Sequence, residues 1–160
     1  MSKLHPQVED TLQKYGLTYN VFECDPRLAD TAAFCEEYGF NLSQSANTII
    51  VALKTNPVTF VCCVILATTK LDVNKKLREL SGKKGSFASQ EQTVGQTGME
   101  IGGVVAIGIE NMPIYIDQEV FKQREIVMGG GNRSTKVLLN PEELKKLPNV
   151  QVIDSLAWLK

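Results

Sequence analysis

Apolar residues fall at helical spacing at Val8, Leu12 and Tyr15. Pro6 suits a first helical turn and Gly16 a stop, so a helix is predicted from about Pro6 to Tyr15. Leu17, Tyr19 and Val21 then alternate with polar or small neighbours, the period of a half-buried strand ending near Asp25-Pro26. Asp30-Thr31 offers an N-cap to a short helix carrying Ala32, Ala33, Phe34 and Tyr38 and closed by Gly39. From Thr48 to Leu53 and from Val58 to Ala67 the chain is almost unbroken in β-branched and apolar residues, with turn chemistry at Lys54 to Pro57 between them. These two runs are predicted to pair as antiparallel central strands covered on both faces.

Asp72 can cap a helix whose Val73, Leu77 and Leu80 share one face while Lys75, Lys76 and Arg78 project elsewhere, and Ser81-Gly82 ends it. After a brief apolar turn at Phe87, Ser89 to Gln92 has the pattern of a capping box and opens another short helix. Ile114 to Ile116 and Glu125 to Met128 read as strands flanking a turn of helix at Glu119 to Lys122. Lys136 to Leu139 is a further strand, and Asn140-Pro141-Glu142-Glu143 begins a last helix. Val150 to Ile153 reads as an edge strand before Trp158. Helices and strands interleave, but several connections are hairpin-short, which argues against an all-parallel doubly wound sheet. The expected fold is α/β in the mixed α+β sense: one domain over residues 1–160, with a mixed, partly closed sheet or barrel surrounded by helices.

Seventeen basic against eighteen acidic side chains give a net charge of −1, so no global positive field of a general nucleic-acid coat protein is present and any RNA contact must be local. Cys24, Cys35, Cys62 and Cys63 contain no CxxC, and the adjacent pair on a strand would point to opposite faces, so buried reduced thiols are expected rather than a metal site. No apolar run approaches the ~20 residues of a membrane span, and Met1 to Pro6 lacks the apolar core of a signal peptide. A cytoplasmic protein with no membrane partner is expected.

The stretch Gly98 to Gly108 holds four glycines, two of them adjacent at Gly102-Gly103 ahead of the apolar run Val104 to Ile109. Two readings stand: a bulge or tight corner opening a buried strand, or main chain left bare for a ligand. His5, the only histidine, lies far in sequence from every glycine turn and is expected at the surface, which removes Ser-His-Asp and Cys-His chemistry. No His/Asp/Glu cluster has metal-ligand spacing. The second cluster, Gly129-Gly130-Gly131-Asn132-Arg133-Ser134-Thr135-Lys136, lacks the order of a phosphate-binding P-loop and the helix that should follow it. It reads either as a hairpin turn or as a backbone cradle with the Arg133 guanidinium available to phosphate. Two such turns suit a reaction that orients water and stabilises an oxyanion without histidine.

Across nearly the whole chain the order of segments resembles the YbaK/ProX family of aminoacyl-tRNA editing domains. The matching pieces are Thr31-Ala32-Ala33 with its helix ending at Tyr38-Gly39, Asn47 to Val51, Ala67 to Asp72 leading into Lys75-Lys76-Leu77, Thr97 to Gly103, Met112 to Asp117, Gly129 to Arg133 and Asn140 to Leu144. The resemblance implies a free-standing domain that hydrolyses the ester joining a wrong amino acid to the terminal adenosine of tRNA, with no cofactor or metal. Its partners would be the acceptor end of aminoacyl-tRNA and, by extension, an aminoacyl-tRNA synthetase, with no DNA. It implies a site between the two glycine turns: Gly102, Gly103 and Asn47 at the catalytic centre; Ile101, Val104, Val105 and Ala106 lining the amino-acid pocket; and Thr31, Thr48, Gly130, Gly131 and Arg133 binding substrate.

Two departures bear on chemistry. The family usually carries a lysine where this chain has Asn47, and asparagine donates hydrogen bonds without charge. The family also often shows a hydroxyl and a proline after the paired glycines, where this chain has Val104-Val105-Ala106, so a more apolar pocket is expected. Lys70, at the end of a strand antiparallel to the one Asn47 begins, is a candidate to replace the missing charge. Lys75, Lys76, Lys83 and Lys84 are candidates for an acceptor-stem patch. The expected function is deacylation in trans with altered or weakened chemistry; the alternative is a non-catalytic binding module for aminoacyl-tRNA or aminoacyl-adenosine. Oligomeric state and the identity of the amino acid stay open.

Overall fold

The computed structural model describes residues 4–160, so the reading of Met1 to Lys3 as a leaderless opening lies outside the described residues. Helix α1 (Pro6–Lys14) is capped by His5, whose Nδ1 accepts from the Gln7 N–H, and Val8 and Leu12 are fully buried along its inner face. The first strand starts later than the alternation suggests, as β1 (Asn20–Glu23). The reason is local: the Leu17 N–H bonds back to the Leu12 carbonyl and the Thr18 N–H to Glu143 Oε1, which takes both out of the strand ladder. Helix α2 (Thr31–Tyr38) ends at Gly39 as expected. Asp30 occupies its N-cap position without capping it, because its carboxylate is drawn to Arg133 instead.

The predicted hairpin forms as β2 (Ala46–Leu53) and β3 (Thr59–Leu66), in register from Ala46 opposite Leu66 to Leu53 opposite Thr59. Side chains alternate across this hairpin, so Cys62 enters one core and Cys63 the other. A short β4 (Thr69–Leu71) precedes the Asp72-capped segment, which opens as a π-turn, Val73–Leu77, before α3 (Arg78–Ser81). Phe87, expected in a turn, ends β5 (Gly85–Phe87) opposite Val51. Helix α4 (Gln90–Thr97) carries the predicted reciprocal capping box, Ser89 Oγ accepting from the Gln92 N–H at 3.0 Å and Gln92 Oε1 from the Ser89 N–H at 2.9 Å.

Strands β6 (Ile114–Asp117) and β9 (Val150–Ile153) run parallel to one another and to β3, completing a mixed sheet of order β5-β2-β3-β6-β9 with β9 at its edge. A second, antiparallel sheet has the order β1-β8-β7, with β7 (Ile126–Gly129) and β8 (Thr135–Leu139). The predicted last helix is a 3-10 helix, Pro141–Lys146. After it, β10 (Ala157–Leu159), which the apolar pattern did not mark, pairs antiparallel with β4. A bridge between Ser45 and Val127 ties the second sheet to the start of β2, so the two sheets curve into a partly closed structure.

The main core lies between α1, the glycine stretch and the inner face of the large sheet. A smaller core fills the opposite face of that sheet, and a third cluster sets Phe34 of α2 among Phe22, Tyr38 and Phe40. The apolar run Val104 to Ile109 forms no strand: it crosses the main core as irregular chain, with Val105, Ala106 and Ile107 wholly buried.

Candidate functional site

β5 pairs only with Val51 to Leu53 of β2, and the Ile50 carbonyl accepts from the Ala88 N–H. Among the described residues no strand continues the ladder below that point, and the edge of β2 from Ala46 to Ile49 opens onto a crevice of about 380 Å³. The opposite wall is the glycine stretch. Thr48 Oγ1 holds it in place by accepting from the Ala106 N–H at 3.1 Å.

The two glycine turns interlock. The Gly131 N–H donates to the Gly103 carbonyl at 2.7 Å, and the Glu100 N–H donates to the Gly131 carbonyl at 3.0 Å. A Cβ on Gly103 would overlap the Asn132 main chain, and one on Gly129 would press on the Gly103 carbonyl; this is a close backbone approach that side chains would prevent. Gly102 has φ +90, a backbone state natural only to glycine, and a Cβ there would overlap Arg133 Nη1. Arg133 is therefore a clamp. Its Nε–H donates to the Pro26 carbonyl at 2.9 Å, and Nη1 donates to Asp30 Oδ1 at 3.2 Å and to the Ile101 carbonyl at 3.1 Å.

These contacts separate the expected site residues into groups. Thr31, Asn47, Thr48, Ile101, Gly102 and Val104 line the crevice. Gly103, Val105 and Ala106 lie sealed behind its wall. Gly130 and Gly131 are also buried, with their amides spent on the Thr135 and Gly103 carbonyls; in the second turn it is Gly129 that reaches the crevice. Lys70 faces a neighbouring groove. Gly102 and Val104 carry N–H groups that meet no acceptor among the described residues.

Within the crevice the Thr31 hydroxyl donates to Asn47 Oδ1 at 2.8 Å, which leaves the carboxamide NH₂ as the group Asn47 can offer a ligand. The feature that sequence reasoning missed is Lys136. It enters from β8 opposite Gly129 and lies against the Phe34 ring, its Nζ 5.0 Å from the centroid and donating to the Ala29 carbonyl at 2.6 Å. Only 6% of this residue is exposed. It lines both the crevice and the small inner corner that Asn47 and Thr31 share. Burial lowers its pKa from the ordinary lysine value, with the nearby Cys24 opposing and the Arg133 charge adding to the shift. A lysine inside a strand with buried residues on both sides was the available sequence signal.

His5 is half-buried rather than at the surface, and its N–H meets the Gly130 carbonyl, so it touches the second turn from the side away from the crevice. With Nδ1 accepting from Gln7, Nε2 carries the proton and donates to the Gly98 carbonyl at 2.9 Å. Its role is to hold loops. Among the described residues no three His, Cys, Asp or Glu side chains come together as metal ligands. The crevice thus brings together the Lys136 ammonium, the Asn47 carboxamide and the Asp30 carboxylate, with Gly102 and Val104 in its wall, and its donors suit the binding of an electron-rich oxygen.

Residues 25–147 match the aminoacyl-tRNA editing domain family. The uncharacterized protein YwhH of Bacillus subtilis is 30% identical over 126 residues, which cover 78% of this chain and 77% of that protein. The proline–tRNA ligase of Shouchella clausii is 25% identical over 119 residues; they make up 74% of this chain but only 20% of the ligase. Among solved structures, the hypothetical protein APE2540 superposes with a TM-score of 0.84 at 24% identity, covering 95% of this chain and 99% of its own. A candidate trans-editing enzyme for prolyl tRNA synthetase gives a TM-score of 0.80 at 22% identity, covering 95% and 98%. At these identities the structural likeness is one of fold, and it matches the mixed α/β architecture described above. With the match to residues 25–147 spanning the crevice and both glycine turns, the chain belongs to the aminoacyl-tRNA editing domain family.

Proposed function

We propose that the chain acts as a single trans-acting editing domain that hydrolyses the ester bond of mischarged aminoacyl-tRNA. The crevice takes the aminoacylated terminal ribose, and the acyl carbonyl oxygen lies toward the Lys136 ammonium and the bare amides of Gly102 and Val104. A water oxygen bonds to the carbonyl carbon, the bond from that carbon to the ribose oxygen breaks, and the leaving oxygen takes a proton from the water. The products are a free amino acid and a tRNA with its terminal hydroxyl restored. Aminoacyl esters are already activated, so orientation and charge stabilisation supply most of what the step needs. Asn47 donates to the substrate through its NH₂, and Ile101 with Val104 bounds the side-chain space. A domain with this substrate works where tRNA is charged, in the cytoplasm, and receives it from solution or from a synthetase.

The observation that carries this reading is the buried ammonium of Lys136 in a crevice that asparagine in place of lysine at Asn47 would otherwise leave without a cation. Incubation with a panel of mischarged tRNAs tests it, with release of amino acid above buffer from at least one of them expected. Tight binding of aminoacyl-adenosine analogues with no release from any tRNA would overturn hydrolysis and leave a binding module.

A further inference from the structure

A second groove, of about 730 Å³, adjoins the crevice. The two share Asn47, Ile49 and Phe87, so a ligand seated in one runs past a common wall into the other. The far side of the groove is built by the β4–β10 ribbon, in which Trp158 stands directly opposite Lys70. Opposed residues of an antiparallel pair project from the same face, so an indole and an ammonium are presented together. Trp158 is 49% exposed and Phe87 60%, unusual for large rings on a protein surface. Among the described residues no acidic side chain lines the groove. β10 also lies outside the family match at 25–147, which makes this wall a feature of the chain's own carboxyl-terminal segment.

We infer that this groove binds the unpaired nucleotides preceding the terminal adenosine of a single-stranded RNA end, with bases stacked on Trp158 and Phe87 and a phosphate held by Lys70. An ester seated in the crevice arrives attached to a polynucleotide, which must leave through an open side, and the side shared with the groove supplies π-faces and a cation there. Aromatic platforms beside basic residues are the general means of holding single strands irrespective of sequence. The inference rests on the editing reading only for what occupies the crevice; RNA binding in the groove can be measured without any hydrolysis.

Trp158 is the sole tryptophan, so its fluorescence reports on the groove directly. Titrating the full chain with a short single-stranded RNA ending in CCA is expected to quench that emission saturably, with affinity falling as salt rises. With fluorescently labelled RNA, Trp158→Ala and Phe87→Ala are each expected to weaken binding about tenfold or more, Lys70→Ala to weaken it and flatten the salt dependence, and Trp158→Phe to recover much of the loss. Trp158→Ala should also lower kcat/KM on aminoacyl-tRNA about tenfold more than on aminoacyl-adenosine, which has no preceding nucleotide. Absent quenching, RNA binding by Trp158→Ala equal to wild type, or equal competition by duplex RNA would overturn the inference. Hydrolysis of both substrates with no groove effect would refute the groove and keep editing. Quenching by RNA with no hydrolysis of any ester would refute editing and keep the groove.

Discussion

Replacing Lys136 with methionine removes the ammonium from the crevice while keeping an unbranched side chain of similar reach. The folded state then loses one charge-assisted hydrogen bond, Nζ–H to the Ala29 carbonyl, of a kind worth roughly 1.5–3 kcal/mol, and leaves a buried carbonyl unpaired at a cost of about 1–3 kcal/mol. Against this, an ammonium no longer has to be taken out of water, which costs several kcal/mol even after relaxation. The thioether also replaces the contact with the Phe34 ring by one worth about 1 kcal/mol. These contributions nearly cancel, so stability should change by no more than about 2 kcal/mol, a melting shift of roughly 4–8 °C in either direction. Catalysis has no such offset. Removing one preorganised donor to a developing oxyanion lowers kcat by about 10²–10³. Deacylation measured under single-turnover conditions, beside a thermal melt, is expected to show that fall in a well-folded protein. Because burial lowers the Lys136 pKa, wild-type hydrolysis, corrected for the uncatalysed reaction, should decline on the alkaline side below the usual lysine value, and the variant should lack this limb. A Lys136→Met rate within about threefold of wild type would refute the assignment, since it corresponds to well under 1.4 kcal/mol.

Gly102→Ala forces a side chain into φ +90 and onto Arg133 Nη1, so it should abolish deacylation and loosen the Asp30–Arg133 contact, seen as faster amide exchange around Ile101. Asn47→Lys alone places a second cation beside Lys136 and should lower activity, whereas Asn47→Lys in the Lys136→Met background should recover part of the lost rate. Asp117 is fully buried with Oδ2 unpaired, and burial raises its pKa. Its folded pKa therefore exceeds its unfolded one, and its contribution to stability is present in acid and is lost as pH rises through the raised value; denaturant titrations of Asp117→Asn against wild type should show that part of the pH slope removed. Burial pushes the Cys63 thiol up to about 12 and the Cys62 thiol well above its ordinary value, and only Cys24 of these three is partly exposed, so a thiol reagent at neutral pH should reach Cys24 in the native protein and the β3 pair only on unfolding.

The elements that could be read from the chain were those whose signals are local. The Ser89-to-Gln92 capping box, the β2–β3 hairpin and the Gly39 stop depend on neighbours within a few positions, and all three formed. The misread elements answer to distant partners: Asp30 leaves its cap for Arg133, Leu17 and Thr18 are drawn off by Leu12 and Glu143, and Phe87 becomes strand because Val51 offers a ladder. The glycine stretch shows the same division. Composition left a tight corner and bare main chain as alternatives there, and the partners that decide between them lie across the two turns, where the Glu100 N–H donates to the Gly131 carbonyl and the Gly131 N–H to the Gly103 carbonyl.

Lys136 carries this argument to the site. A lysine is informative in sequence when a motif fixes its place, and Lys136, which ends the second glycine cluster, completes no P-loop there, so no motif gives it a role. Its position comes from the sheet: pairing with Gly129 turns it toward the corner that Asn47 and Thr31 occupy, and Phe34 with the Ala29 carbonyl keeps it there. An oxyanion responds to where positive charge stands and not to which strand supplies it. A crevice can therefore exchange the lysine at the start of β2 for one on β8, provided both reach the same corner. The Asn47→Lys, Lys136→Met pair of variants tests that equivalence, because two side chains acting on one oxygen should be strongly non-additive.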